Sequence, residues 1–214
     1  GKVRVMVSDD DARQVTGKGP DGATGFASPR TLIGTTIGDQ MRLATNLRSK
    51  VVAVSFKDRS AVLPGGQRPN GAFWYSEPLG DVAKSDYYSK ELPQWVQKFN
   101  KTSRPDKYFG AKWERALPAE AYERAQFDNL DLQTAPTLSK SFPHVVTDGE
   151  DKPGPKFYSS FVVTPFASEY LKEFGKTAIE AEQLGADSFT DLFSISFSSP
   201  DLAGHYYGPD SQEV

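Results

Sequence analysis

The sequence predicts an α/β protein, part of a mostly parallel sheet flanked by helices. Three observations carry that expectation. Val51-Val52-Ala53-Val54-Ser55-Phe56 is a short apolar run of β-branched character, as in a strand buried on both faces. Asp191 to Phe197, DLFSISF, has similar character near the other end of the chain. Stretches of helical spacing precede each run, and strand, helix and strand in succession favour parallel pairing under a helical cover.

The elements follow in order. Lys2 to Val7 predicts an opening strand, and DDDARQVTGKGPDGATGFA a polar, glycine-rich loop. Ser28-Pro29 predicts a helix start, with Leu32, Ile33, Ile37, Met41, Ala44 and Leu47 at helical spacing behind it. After the Val51 run, LPGGQRPNG is turn chemistry, AFWYS a short strand and ELPQWVQKF a short helix. Residues 101–160 are rich in Pro, Lys, Asp and aromatics without clear period, the pattern of an insertion or lid. Thr164-Pro165 then starts a helix carrying Phe166, Tyr170, Leu171, Phe174, Ala178, Ile179 and Leu184, with Gly185 as its C-cap.

Composition narrows the function classes. A chain of 214 residues, 37% hydrophobic, can bury a core in one α/β unit with insertions. The net charge of -3 argues against a general binder of nucleic acid polymers or membrane surfaces, while a local basic site stays open. Without cysteine there are no disulfides and no thiolate metal ligands. No apolar run is long enough to span a bilayer, and GKVRVMVSDDD is not a signal peptide. The chain enters in mid-strand and stops just after its last motif, so it reads as a piece of a longer protein.

In an open parallel sheet, ligands gather beyond the carboxyl ends of the strands. Two such ends carry unusual residues. At Phe56-Lys57-Asp58-Arg59 a strand period would point Lys57 and Arg59 the same way, forming an anion clamp; the alternative is charge that marks where a strand meets water. In Ser199-Pro200-Asp201-Leu202-Ala203-Gly204-His205, a helical turn would put Asp201 and His205 on one face, where carboxylate and imidazole suit zinc. Gly204 would leave room for close approach, and Pro209 would limit the helix. His144 has no partner at ligand spacing and reads as structural. Asp9-Asp10-Asp11 reads as a solvated acidic turn, since it lacks the glycine and distal glutamate of a calcium loop. Phe73, Trp74, Tyr75, Trp95 and Trp113 read as core or lid packing, and KGPDGATG lacks the Gly-Lys-Ser/Thr ending of a P-loop.

SPRTLIGTTIGDQMRLAT, VVAVSFKDRSAVLPGG, NGAFWYS, YYSKELPQWVQKFN and SFSSPDLAGHYYGPDS, in this order, resemble the type I phosphodiesterase/nucleotide pyrophosphatase family of the alkaline phosphatase superfamily. Within it they are similar to the bacterial alkaline phosphatases with a threonine nucleophile. The resemblance covers nearly the whole chain and is weakest over 101–160. It implies a two-zinc centre at the carboxyl ends of a parallel sheet, with Asp201 and His205 as two ligands of one zinc. It implies that Lys57 and Arg59 contact phosphoryl oxygens of the ester substrate, a pair associated in this branch with monoester hydrolysis. The nucleophile and the remaining ligands would lie outside residues 1–214, a central segment of one catalytic domain. The chain alone is then expected to be inactive and to hold at most a partial zinc site. A periplasmic or secreted location is the corresponding expectation. Phosphodiester or nucleotide-pyrophosphate cleavage is the alternative, and a non-catalytic anion-binding module a further one.

Overall fold

The structure, a computed structural model, describes residues 6–16, 19–20, 26–125, 138–139, 141–147 and 149–214. In chain order the strands and helices are β1 (Gln14–Thr16), β2 (Gly19–Pro20), α1 (Ile37–Ala44), β3 (Val51–Ser55), α2 (Asp58–Gly65), β4 (Gly71–Ser76), β5 (Asp81–Ser85) and α3 (Gln94–Thr102). They continue with β6 (Lys112–Trp113), β7 (His144–Val145), α4 (Pro155–Phe161), α5 (Pro165–Ala181), β8 (Leu192–Ser196) and α6 (Ser199–Tyr207). The chain divides into two compact units. The first is drawn from residues up to Ser76, 81–103 and 171–196, the second from 77–80, 104–170 and 197–214.

The first unit holds a sheet in the order β2-β1-β5-β4-β3-β8. Its core is parallel, as expected: β3 pairs with β4 from Val52↔Gly71 to Ser55↔Trp74, and with β8 from Val51↔Leu192 to Ser55↔Ser196. All five residues of β3 are buried, which explains its unbroken apolar run. Each buried valine there contributes roughly 1.5–3 kcal/mol. Beyond β4 the sheet turns antiparallel, through β5, β1 and β2. The physical reason is the link between β4 and β5: residues 77–80 make a tight turn, far too short for a parallel crossover. Asp191 sets the β3–β8 register, accepting from the amides of Lys50 at 2.6 Å and Gly185 at 2.8 Å.

Phe174 of α5 packs edge-on against Phe73 and Phe99, with Trp95 beside it. Gly175, one residue on, lets α5 lie close to β8, since a Cβ there would sit 3.1 Å from Ile195 Cδ1. Asn100 of α3 bonds both backbone groups of Val82 in β5, at 2.8 and 2.9 Å. Phe73, Trp74 and Tyr75 are buried, as their sequence context suggested.

Two helices differ from expectation. Ser28 caps only a single 3-10 turn, Pro29–Thr31. The chain then passes through Gly34 at φ +105, and α1 starts afresh at Ile37 under a capping box of Thr36 and Asp39. A second strong cap outcompetes the first, because glycine at positive φ breaks any continuous helix between them. The expected apolar stripe faces outward there: Ile33 is 100% and Ile37 72% exposed. At the other end, α5 stops at Ala181, four residues before Gly185, with Gln183 itself at φ +52. Of the expected opening strand, residues 2–5 lie outside the described residues, and Met6 and Val7 form a turn. Of KGPDGATG, Gly19 and Pro20 form β2 and the other residues lie outside them.

The second unit gathers much of the 101–160 stretch. β6 and β7 pair antiparallel through Trp113↔His144. α4 buries Phe157 and Phe161, and the first turns of α5 bring Tyr170 against Phe161. Among the described residues, no helix is long and apolar enough to cross a membrane.

Candidate functional site

Lys57 and Arg59 belong to the first unit and stand at the head of α2. β3 ends at Ser55, Lys57 takes the N-cap position with extended backbone, and Arg59 is the second helical residue. The strand period expected for the pair is therefore replaced by a strand-to-helix turn. Ser55 Oγ fixes that turn by accepting from the Lys57 amide at 3.1 Å. Lys57 is half-buried and Arg59 exposed. Asp58 Oδ1 accepts from the Arg59 amide at 2.5 Å, and the Ser60 amide bonds Lys57 O. With these first-turn amides engaged, an anion at this helix start would be held by the two side-chain cations.

Asp201 and His205 belong to the second unit, and α6 brings them together as their spacing required. Asp201 Oδ1 lies 3.6 Å from His205 Nε2, with the side chains 56% and 70% exposed. Pro200, Asp201, Gly204, His205, Pro209 and Val214 line a hollow of about 500 Å³. Gly204 is not a steric necessity among the described residues: a Cβ there would meet only Val214 Cγ2, at an ordinary 3.7 Å. Gly208, at φ +103, ends the helix one residue before Pro209. A carboxylate oxygen and an imidazole nitrogen this close and this exposed fit two positions of a zinc tetrahedron, which needs at least a third protein ligand. Among the described residues, no cluster of three or more His, Asp or Glu side chains could hold a metal.

Three residues have roles that spacing did not disclose. His144, without a partner at ligand spacing, finds one far along the chain: its Nε2 lies 3.0 Å from Glu213 Oε1, sixty-nine positions away. Asp9 is buried rather than solvated, accepting from Ser28 Oγ at 2.5 Å and Arg30 Nε at 2.8 Å. Burial pushes its carboxyl up, and these bonds outweigh burial to leave it below the usual range. Asp39 caps α1 and also accepts from the Gln67 and Arg68 amides beyond the end of α2. Gly66 must sit at φ +76 there, where a Cβ would lie 2.5 Å from Asp39 Oδ2.

No family model matches the chain. Sequence relatives do. It is 41% identical over 192 residues, 89% of its length, to the alkaline phosphatase PhoV of Synechococcus elongatus. It is 36% identical over 214 residues, 98% of its length, to the alkaline phosphatase PafA of Elizabethkingia meningoseptica. A crystal structure of wild-type PafA superposes with a TM-score of 0.82 over 99% of this chain, at 34% identity. The chain is homologous to alkaline phosphatases. It spans 34% of PhoV and 38% of PafA, well under half the length of either. A further relative, 36% identical over 218 residues, carries the name calcium-transporting ATPase, from Myroides odoratus. A second PafA structure, TM-score 0.84, is of a variant with a threonine, an asparagine, a lysine and an arginine replaced, the last two standing two positions apart.

Proposed function

We propose that the longer protein containing this chain hydrolyses phosphate monoesters with zinc, through a phosphothreonine intermediate, and that the 214 residues alone are inactive. The observation that carries this reading is the ordered pair of motifs, Lys57-x-Arg59 and Asp201-x-x-Gly204-His205, within a chain so similar to two alkaline phosphatases. The Lys-x-Arg spacing equals that of the lysine and arginine replaced together in the PafA variant.

In this reading Arg59 offers two parallel N–H donors to non-bridging phosphoryl oxygens, and Lys57 a compact positive charge. Asp201 and His205 supply two of the donors to one zinc, the carboxylate neutralising part of its charge and the neutral imidazole completing a mixed O/N set. When bound, zinc supplies Lewis acidity at phosphorus and holds the ester oxygens. The nucleophilic threonine and the other ligands come from the rest of the longer protein. Residues 101–160 act as a lid selecting the ester, and the location is periplasmic or secreted.

Zinc stoichiometry on the 214-residue chain tests the metal half. One weakly held zinc, lost in both Asp201→Ala and His205→Ala, supports a half-site; undiminished binding in both variants refutes the assignment. On the longer protein, Lys57→Ala and Arg59→Ala should each lower monoester kcat/KM by about 10²-fold or more, as losing a transition-state donor does. A stronger effect on diesters than on monoesters would move the reading to a phosphodiesterase.

A further inference from the structure

β7 is oriented against simple hydrophobic logic. His144 is fully buried, while its neighbour Val145 is 42% exposed. A shift of one residue would bury the valine and free the histidine, so something specific holds the imidazole inside. Its ring sits among Trp113 at 4.9 Å, Phe142 at 4.5 Å and Tyr207 at 5.2 Å. Nδ1 lies 3.1 Å from Ser139 Oγ, whose hydroxyl also reaches Ser141 O at 2.8 Å. Nε2 lies 3.0 Å from Glu213 Oε1, and neither side chain of this pair has any solvent exposure. Glu213 Oε2 is buried without a hydrogen-bond partner among the described residues. The contact with His144 therefore anchors this carboxylate in the interior, and removing either partner leaves a buried polar group stranded.

The anchored carboxylate lies eight residues after His205 in the chain. Val214, the following residue, lines the same hollow as Asp201 and His205, and its Cγ2 rests over Gly204. The segment after α6 folds back through Gly208, whose amide bonds Gly204 O, and Ser211, whose amide bonds Gly208 O. We propose that His144 is a positioning residue for the Asp201–His205 site: by clasping Glu213 it seats the 208–214 segment, so that Pro209 and Val214 wall the hollow beside the two ligands. This rests on the reading of Asp201 and His205 as zinc ligands. It assigns a role to a histidine that stands outside the metal site itself, and it predicts that the site loosens when the clasp is cut.

The test uses Co²⁺ as a spectroscopic stand-in for zinc, together with amide hydrogen exchange, on the 214-residue chain. Glu213→Ala should weaken Co²⁺ binding about tenfold, as loss of outer support does at metal sites. It should also speed exchange at the Ser211 and Val214 amides. Glu213→Gln keeps a side-chain hydrogen bond to Nε2 and should restore most of both. If Glu213→Ala does not fold, Glu213→Leu fills the space without charge and is expected to show the same two losses. Wild-type affinity in Glu213→Ala or Glu213→Leu overturns the positioning role, and wild-type exchange in either overturns the clasp. If the wild-type chain binds no Co²⁺, as a two-ligand half-site permits, the zinc reading stands and exchange decides the proposal: faster exchange at 208–214 in Glu213→Ala supports it and wild-type exchange overturns it.

Discussion

Replacing Asp39 by alanine should cost the first unit more than any single cap normally does. Its carboxylate accepts from the Thr36 amide at 2.9 Å and Thr36 Oγ at 3.1 Å, completing the α1 capping box. It also accepts from the Gln67 amide at 2.9 Å and the Arg68 amide at 3.2 Å, where the chain leaves α2. The cap is worth about 1 kcal/mol. Each loop amide on an ionised acceptor adds roughly 1.5–3 kcal/mol when it is left buried, and partial rehydration offsets some of that. The sum is about 4 kcal/mol, or a fall of about 8–16 °C in Tm for a chain of this size. Asp39→Asn keeps one acceptor oxygen and should lose about half as much. The pH dependence has a definite sign. Burial pushes the carboxyl up, but bonds from Thr36, Gln67 and Arg68 outweigh it, and the native value lies below the ordinary 3.8. The contribution is therefore complete above the unfolded value and is lost as pH falls through the lower native one. Urea unfolding of wild type, Asp39→Ala and Asp39→Asn from pH 7 down to about 3 measures all of this. A loss under about 1 kcal/mol at neutral pH, or a gap that widens in acid, would refute the reasoning.

Other perturbations follow from single groups. Lys84 is buried in β5, where its ammonium bonds Ser89, and burial pushes its pKa down to about 8. The unfolded chain thus holds more protons than the native one between about 8 and 10.5, so stability relative to Lys84→Met should rise with pH across that window. A flat difference in denaturation midpoints would contradict it. Gly175→Ala should be near neutral: the helix gains about 1 kcal/mol while the methyl crowds Ile195. Gly175→Val adds bulk toward Phe193, 3.2 Å from the first added carbon, and should cost about 1–3 kcal/mol in thermal unfolding.

Much of the parallel core was legible in the chain. Val51 to Ser55 has one environment on both faces, so its apolar run states its burial directly. Asp201 and His205 were equally legible, because four residues make one helical turn and the pairing is local. The strand-to-helix turn at Lys57 was not, since two residues of either state carry no period. Nor was the stop at Gly34: the apolar spacing across residues 32–47 is helical, but two caps compete and only the local backbone decides between them.

What the sequence alone determined is therefore whatever depends on neighbours within a turn or a strand: the buried core strand, the Asp–His pair and the resemblance that its ordered motifs carry. Tertiary structure alone decided the pairing of β1 with β5, the service of Asp39 to two helices and the pairing of His144 with Glu213. In each of these, partners many residues apart meet because burial demands that a polar group be satisfied, and no local pattern records which distant residue will do it.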